Sequence, residues 1–268
     1  MLKFTACQSV KKTFREEVNT LIPFADTTGV LTESEMVQLP QPVAEYLRHN
    51  GFVSKPHIMS AEVVYSESAI RFKPGEKMTR LTTIQYNRVD TPVRVVYMRA
   101  MYAGIIPFEG RDLYQDGKGH MRGILAKCIS VFDDTSREVS QSALITLFSE
   151  AMIVPGYLFS PYLEWEASGD NWASGVFRHK GMEVRGTFYF NENYEFVRFE
   201  TLDRYMSSDN GKSVQYPWYV EASAYRAGAN GIRFPTCVRV VWQLPEGDFE
   251  YWKGNIATLR YNPRPSVP

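Results

Sequence analysis

From about residue 57 onward the chain alternates apolar and polar residues with a period of two, beginning with Ala61, Val63 and Tyr65 set against Glu62, Val64 and Ser66. The pattern recurs in short runs near 59–70, 79–88, 93–102, 108–116 and 119–132, and again near 162–167, 172–179, 182–190, 194–205, 216–228, 232–244 and 249–261. Pro74-Gly75, the stretch from Asp90 to Pro92, Asp116-Gly117, Asn191-Glu192-Asn193 and Ala229-Asn230-Gly231 supply turns between them. Strands so closely spaced form an antiparallel meander. Roughly a dozen of them exceed what a flat open sheet holds without curling. The expected fold is therefore mainly β: a large curved antiparallel sheet, a half-barrel or unclosed barrel, with helices packed on its concave face. Sixteen Tyr, sixteen Phe and five Trp suit such a sheet with a partly aromatic inner face.

Helical periodicity is confined to a few places. Val10, Phe14, Val18, Leu21 and Ile22 fall on one arc, with Lys12 and Glu16 four apart on the solvent side, so a helix spans about 9–22 and ends at Pro23. Thr32 followed by Glu35 resembles a capping box and predicts a further turn near 33–38. In LPQPVAEYLRHNG, residues 39–51, Pro42 suits a first helical position and Gly51 the left-handed residue past the end. So short a helix is marginal in water by itself, so Val43 and Leu47 must hold it by packing, as part of a lid or plug for the sheet. Ala143, Leu144, Leu147, Phe148, Ala151 and Met152 form a broad apolar arc near 140–153 that stops at Pro155-Gly156. No linker or internal repeat divides the strands. The expected organisation is an amphipathic helical segment, 1–38, packed on a single curved β domain, 39–268, with the helix near 140–153 inserted.

Charge and cysteine usage narrow the function classes. Thirty basic and thirty acidic residues cancel, leaving no overall field to attract nucleic acid. Cys7, Cys128 and Cys237 are far apart and form no CxxC, which argues against a zinc cage and a complete disulfide framework and favours a reducing compartment. The first residues are too short and polar an apolar run for a signal, and no stretch approaches the roughly 18 apolar residues of a membrane span, so the chain reads as cytoplasmic. DNGKS, residues 209–213, has Met206 where the first glycine of a phosphate loop belongs, and is read as a hairpin tip. GKGHMRG, 117–123, has one residue too many for a dinucleotide fingerprint and is read as a turn. His49, His57, His120 and His179 are scattered, Asp133-Asp134 reads as a turn or cap, and no GxSxG is present. No metal and no cofactor are expected.

Candidate site residues come from strand alternation and helical phase. If the hairpin after 102 turns around Gly104-Ile105, Tyr97, Arg99 and Met101 share a face with Phe108, Gly110, Asp112 and Tyr114. Tyr97 then opposes Asp112, Arg99 opposes Gly110, and Arg99 reaches diagonally to Asp112. Arg99 and Asp112 are the expected orienting groups at the mouth of the cavity, beside Tyr97 and Tyr114; on the convex face the same pair would contribute little. A one-residue slip would turn the whole set to the other side. Glu150 falls at the edge of the arc of the 140–153 helix, either facing the cavity with a raised pKa or solvated. Trp218, Trp242 and Trp252 suit a core, and Trp218, following Pro217 at a strand end, is the one taken as a ligand platform.

Four stretches together carry a resemblance. They are Leu39-Pro40 through Gly51 with Pro42-Val43 and Tyr46-Leu47-Arg48-His49; Gly110-Arg111-Asp112 with Tyr114, Asp116-Gly117, Gly119, Met121 and Gly123; Asp203-Arg204-Tyr205; and Leu244-Pro245 with Gly247, Phe249, Tyr251-Trp252 and Gly254. Over about 39–262 the chain is similar to a family of uncharacterised bacterial domains of unknown function. The resemblance implies no established activity. It implies membrane association in relatives that carry an anchor before the first helix, an anchor this chain does not show. The strand pattern also resembles the unclosed barrel with plugging helices of bacterial lipoprotein carriers, at the level of fold.

Three functions follow as expectations. The first is a non-enzymatic binding module for a lipid or other apolar or amphipathic small molecule held between curved sheet and helices. The second is a cofactor-independent enzyme using carboxylate, Tyr and Arg groups in the same cavity. The third is a structural or protein-interaction domain.

Overall fold

Alternation becomes a sheet whose strands follow one another in two runs. The computed structural model describes residues 3–4, 9–22, 29–102, 104–207 and 213–263. Pro23, Cys7 and residues 209–212 of the DNGKS stretch lie outside the described residues. Strand β1 is Lys3–Phe4; helices α1, α2 and α3 are Val10–Leu21, Glu33–Met36 and Gln41–His49. The first meander comprises β2 (Ser60–Ile70), β3 (Thr79–Arg88), β4 (Val93–Tyr102), β5 (Ile106–Gln115), β6 (Lys118–Leu125) and β7 (Ile129–Asp134). Helix α4 (Arg137–Ser149) and a 3-10 turn at Pro155–Phe159 lead to β8 (Leu163–Ser168), β9 (Trp172–His179), β10 (Met182–Phe190) and β11 (Phe196–Thr201). After a small separate ribbon of β12 (Tyr205–Ser207) and β13 (Ser213–Gln215), the chain ends in β14 (Trp218–Ala227), β15 (Arg233–Leu244) and β16 (Gly247–Tyr261).

The two runs join in the middle. The 14-stranded antiparallel sheet has the order β1-β7-β6-β5-β4-β3-β2-β16-β15-β14-β11-β10-β9-β8, so β16 pairs with β2 and the sheet does not close on itself. Register shifts at Tyr65/Ser68 on β2 and at Lys253/Ile256/Thr258 on β16 are bulges at this centre, where extra residues bend a strand and increase its twist. Because α4 follows β7 and precedes β8, it runs from one edge of the open sheet to the other across the inner face. Its Leu144, Leu147 and Phe148 are fully buried, and Phe148 meets Phe177, Phe188 and Phe199 within 5.2–5.6 Å.

Two close approaches seat the helical layer. A Cβ on Gly156 would overlap the carbonyl oxygen of Ile58, and one on Gly119 of β6 would lie 2.7 Å from the carbonyl oxygen of Val139 in α4. Helix α3 carries Val43, Tyr46 and Leu47 at no measurable exposure, and the Tyr46 hydroxyl donates to the Met152 carbonyl at 2.6 Å. Gly51 takes the left-handed φ of +78° past its end. The capping box at α2 forms, with Glu35 accepting from the Thr32 N–H at 2.8 Å.

Two expectations about placement are corrected. Helix α1 lies on the outer face, not with α3 and α4: Val10, Phe14 and Val18 pack on Tyr86, Val93, Val95, Tyr97 and Leu113. Arg111 fixes it there through a two-pronged ion pair with Glu17, at 2.7 and 2.6 Å. The run read as one strand, 119–132, is two, β6 and β7, because Ala126 and Lys127 both take positive φ, 50° and 62°, with neither glycine nor asparagine to mark the turn.

Candidate functional site

Thr83, Gln85 and Asn87 alternate along β3, so all three side chains face inward toward α4. Next to them, Arg94, Val96 and Met98 alternate on β4, and Asp112 stands opposite Val96 on β5. Glu150 is the C-cap of α4 and is brought down onto this patch. Its Oε1 accepts from Arg94 Nε at 2.8 Å, and its Oε2 accepts from Gln85 Nε2 at 2.8 Å and Asn87 Nδ2 at 2.9 Å. Arg94 Nη1 then donates to Asp112 Oδ2 at 2.6 Å, and Nη2 to Gln85 Oε1 at 3.3 Å.

Burial pushes the Glu150 carboxyl above the ordinary carboxylate range, while Arg94 and Asn87 pull it back down. A carboxylate at a helix C-terminus also faces the negative end of the helix dipole. Arg94 offsets both effects. All three donors aim N–H groups at the carboxyl oxygens, the arrangement that suits an acceptor-only carboxylate.

Around this network the inner face is apolar. A hollow of about 140 Å³ lies between α4 and the sheet, walled by Ile70, Val96, Met98, Val240 and Trp252, with Asp112, Glu150 and Arg94 along it and Arg204 and Trp218 at another side. Ile70 also lines a groove of about 830 Å³ at the rim, formed with Leu81, Ala100, Phe108, Leu125 and Phe132. There Phe72 and Tyr102 are more than half exposed, and the Phe72, Phe108 and Phe132 rings follow one another at 6.4 and 6.3 Å. A separate surface hollow of about 370 Å³ beside α2 is lined by Leu31, Phe52, His57 and Pro155, and there His57 Nε2 lies 2.9 Å from Glu35. It holds no buried ionisable pair.

The structure divides the residues expected in the site. Asp112, Glu150 and Trp218 share the hollow. Tyr114 is on the same face but deeper, its hydroxyl 2.7 Å from His179 Nδ1. Tyr97 and Arg99 are on the other face. The β4–β5 pairing sets Tyr97 opposite Arg111 and Arg99 opposite Glu109, one residue away from the expected register. Since Tyr102 pairs with Ile106, three residues separate the strands where two were expected, and a shift of one exchanges the faces. Tyr97 consequently stacks on Phe14 of α1 at 5.5 Å and donates to Glu109 at 2.8 Å, while Arg99 is exposed. The arginine that pairs with Asp112 is Arg94.

Sequence reasoning passed over Arg94, Gln85, Asn87 and Arg204. The signal for Arg94 was a lone charge in the run Val93-Arg94-Val95-Val96, and for Gln85 and Asn87 two amides at period two in one strand. Among the described residues no three His, Cys, Asp or Glu come together as metal ligands, and no helix is long and apolar enough to cross a membrane.

A search of curated proteins found none that matches. Among solved structures, a putative outer membrane lipoprotein-sorting protein domain from Vibrio parahaemolyticus is similar at 8% identity over 82% of this chain and 91% of that one, with a TM-score of 0.41. A DUF1329 family protein from Desulfovibrio piger is similar at 12% identity over 87% of this chain and 94% of that one, with a TM-score of 0.43. The family of unknown function DUF6544 matches residues 29–254, most of the chain, and the protein belongs to that family.

Proposed function

We propose that the protein is a non-enzymatic binding module that holds an apolar or amphipathic small molecule between the curved sheet and α4. The observation that carries this reading is that the apolar hollow and the aromatic groove at the rim are neighbours that share Ile70 in their lining. Ligand sites commonly measure about 300 to 1,000 Å³. The hollow of about 140 Å³ is too small by itself, and the groove of about 830 Å³ supplies the rest. Soluble proteins leave few contiguous large apolar patches open without a use for them.

The network argues for binding over catalysis. Both Glu150 oxygens and three nitrogens of Arg94 are already engaged by protein groups, so neither is poised to exchange a proton with a substrate. They pin α4 to the sheet floor. Asp112, with one oxygen on Arg94 and a partly exposed side chain, is the group in this set that can meet a ligand.

The test uses the purified full chain, examined by native mass spectrometry for a co-purified small molecule and by titration with oleyl alcohol as a neutral apolar probe. Saturable binding is expected, and Ala100→Trp, which fills the groove, should weaken it at least about tenfold without unfolding the protein. An empty protein that takes up no probe, or binding unchanged in Ala100→Trp, would overturn the reading.

A further inference from the structure

We infer that the hollow takes the anionic headgroup, a carboxylate or phosphate, of an amphipathic ligand, and that Arg204 binds it. The inference rests on the binding-module reading and specifies its ligand class. Arg204 follows β11 and lines the hollow, with its guanidinium 4.6 Å from the Trp218 ring centre and 5.7 Å from that of Trp242. Two indole faces remove water from one side of the cation and stabilise it there. Among the described residues no carboxylate lies within ion-pair distance of it, whereas Arg94, on the hollow's other side, holds two.

The pattern of used and unused donors shows which edge of Arg204 is unpaired. Nη1 donates to the Ser142 carbonyl at 2.7 Å and to the Thr146 hydroxyl, both on α4. Nη2 makes a long contact, 3.4 Å, to the Tyr251 hydroxyl. Nε is buried and has no partner. A guanidinium has five N–H donors, so the Nε–H and one Nη2–H are left. Nε and Nη2 share one edge of the guanidinium, the side-on edge that grips a carboxylate or phosphate with two charge-assisted bonds. A buried donor left unpaired is costly, and an anionic oxygen arriving through the hollow would satisfy it.

The apolar part of the ligand has a path away from this fork. Trp252 of the hollow's wall pairs across β16 and β2 with Ile70, which lines both the hollow and the rim groove. Head and tail are thus separated, with the charge at Arg204 and the chain along the aromatic groove. Glu150 and Asp112 sit around Arg94, so the floor is negative and repels an anion from that end. Arg204 is a binding residue of a kind the alternation of strands could not reveal, since it belongs to no strand.

Three probes with the same chain separate the possibilities: oleate, 1-oleoyl lysophosphatidate and neutral oleyl alcohol, each titrated into the full-length protein. At least one anion should bind about tenfold or more tightly than the alcohol, and which one does identifies the headgroup as carboxylate or phosphate. Arg204→Gln should abolish that preference while leaving the alcohol unchanged, and Arg204→Lys, which keeps the charge and loses the fork, should retain part of it. Because Arg204→Gln also removes the bonds to Ser142 and Thr146, its folding is checked by thermal unfolding; the comparison of probes on the unaltered protein stands without it. Equal binding of anions and alcohol, or an unchanged preference in a folded Arg204→Gln, overturns the anion site alone. Binding of none of the three overturns the binding module with it.

Discussion

The Nε of Arg94 stands 2.8 Å from Oε1 of Glu150, joining the middle of β4 to the C-terminal end of α4. Each residue is in a place that physical chemistry disfavours for it alone. Arg94 projects into an apolar interior, and Glu150 is a buried carboxylate at the wrong end of a helix. Together, with Gln85, Asn87 and Asp112, they satisfy one another. The helix that crosses the inner face is thereby held at one height above the sheet, and this fixes the size of the hollow beneath it.

Removing one partner should therefore cost far more than an exposed ion pair is worth. Arg94→Met leaves Glu150 buried with amide donors alone and Asp112 without its cation, and should lower stability by about 3–5 kcal/mol. The double variant Arg94→Met with Glu150→Leu should recover a large part of the loss, since the more deeply buried carboxylate is then gone and only the partly exposed Asp112 lacks its cation. Urea unfolding of the four proteins measures this, and simple addition of the two single effects would show that the pair does not act as a unit.

Stability should also fall at mildly acidic pH through His179. The residue is 4% exposed, its Nδ1 lies 2.7 Å from the Tyr114 hydroxyl, and burial pushes its pKa below the ordinary histidine value of 6.5. Between that ordinary value and the lowered one, the unfolded chain holds the proton and the folded chain does not. The unfolded state is then favoured increasingly as pH drops below about 6.5, by at most about 1.4 kcal/mol per pH unit for one proton. The stability difference between the unaltered protein and His179→Gln, followed by denaturant melts from pH 8 to 5, should shrink on acidification. A constant difference would show that folding does not lower the pKa of the ring.

Helix α3 offers a third measurement. Its nine residues cannot sustain it in isolation, and Leu47 is fully buried. Leu47→Ala should cost about 2–5 kcal/mol in chemical denaturation. A loss under about 0.5 kcal/mol would mean the neighbouring side chains close the space or the helix is dispensable to the core.

Much of the architecture was legible in the residues themselves. Alternation and turn residues locate β3, β4, β9 and β10 to the residue, because side chains on a pleated strand alternate and a left-handed turn such as Asp116-Gly117 demands particular chemistry. The helix expected near 140–153, which the structure places at Arg137–Ser149, and the short helix expected at 41–50, which it places at Gln41–His49, follow from periodicity and from prolines and glycine at their ends. What the residues could not state was which side of the sheet is the inside. In β4, Val93 to Tyr97 are all buried, because α1 covers one face and α4 the other, and alternation carries no contrast when both faces are dry. One loop residue then decides whether Tyr97 or Arg94 joins Asp112. Arg204 and Glu150, which stand outside any strand, meet the sheet through tertiary contacts, Glu150 with Arg94 of β4 and Arg204 with Tyr251 of β16, and no local pattern records a contact between residues so far apart.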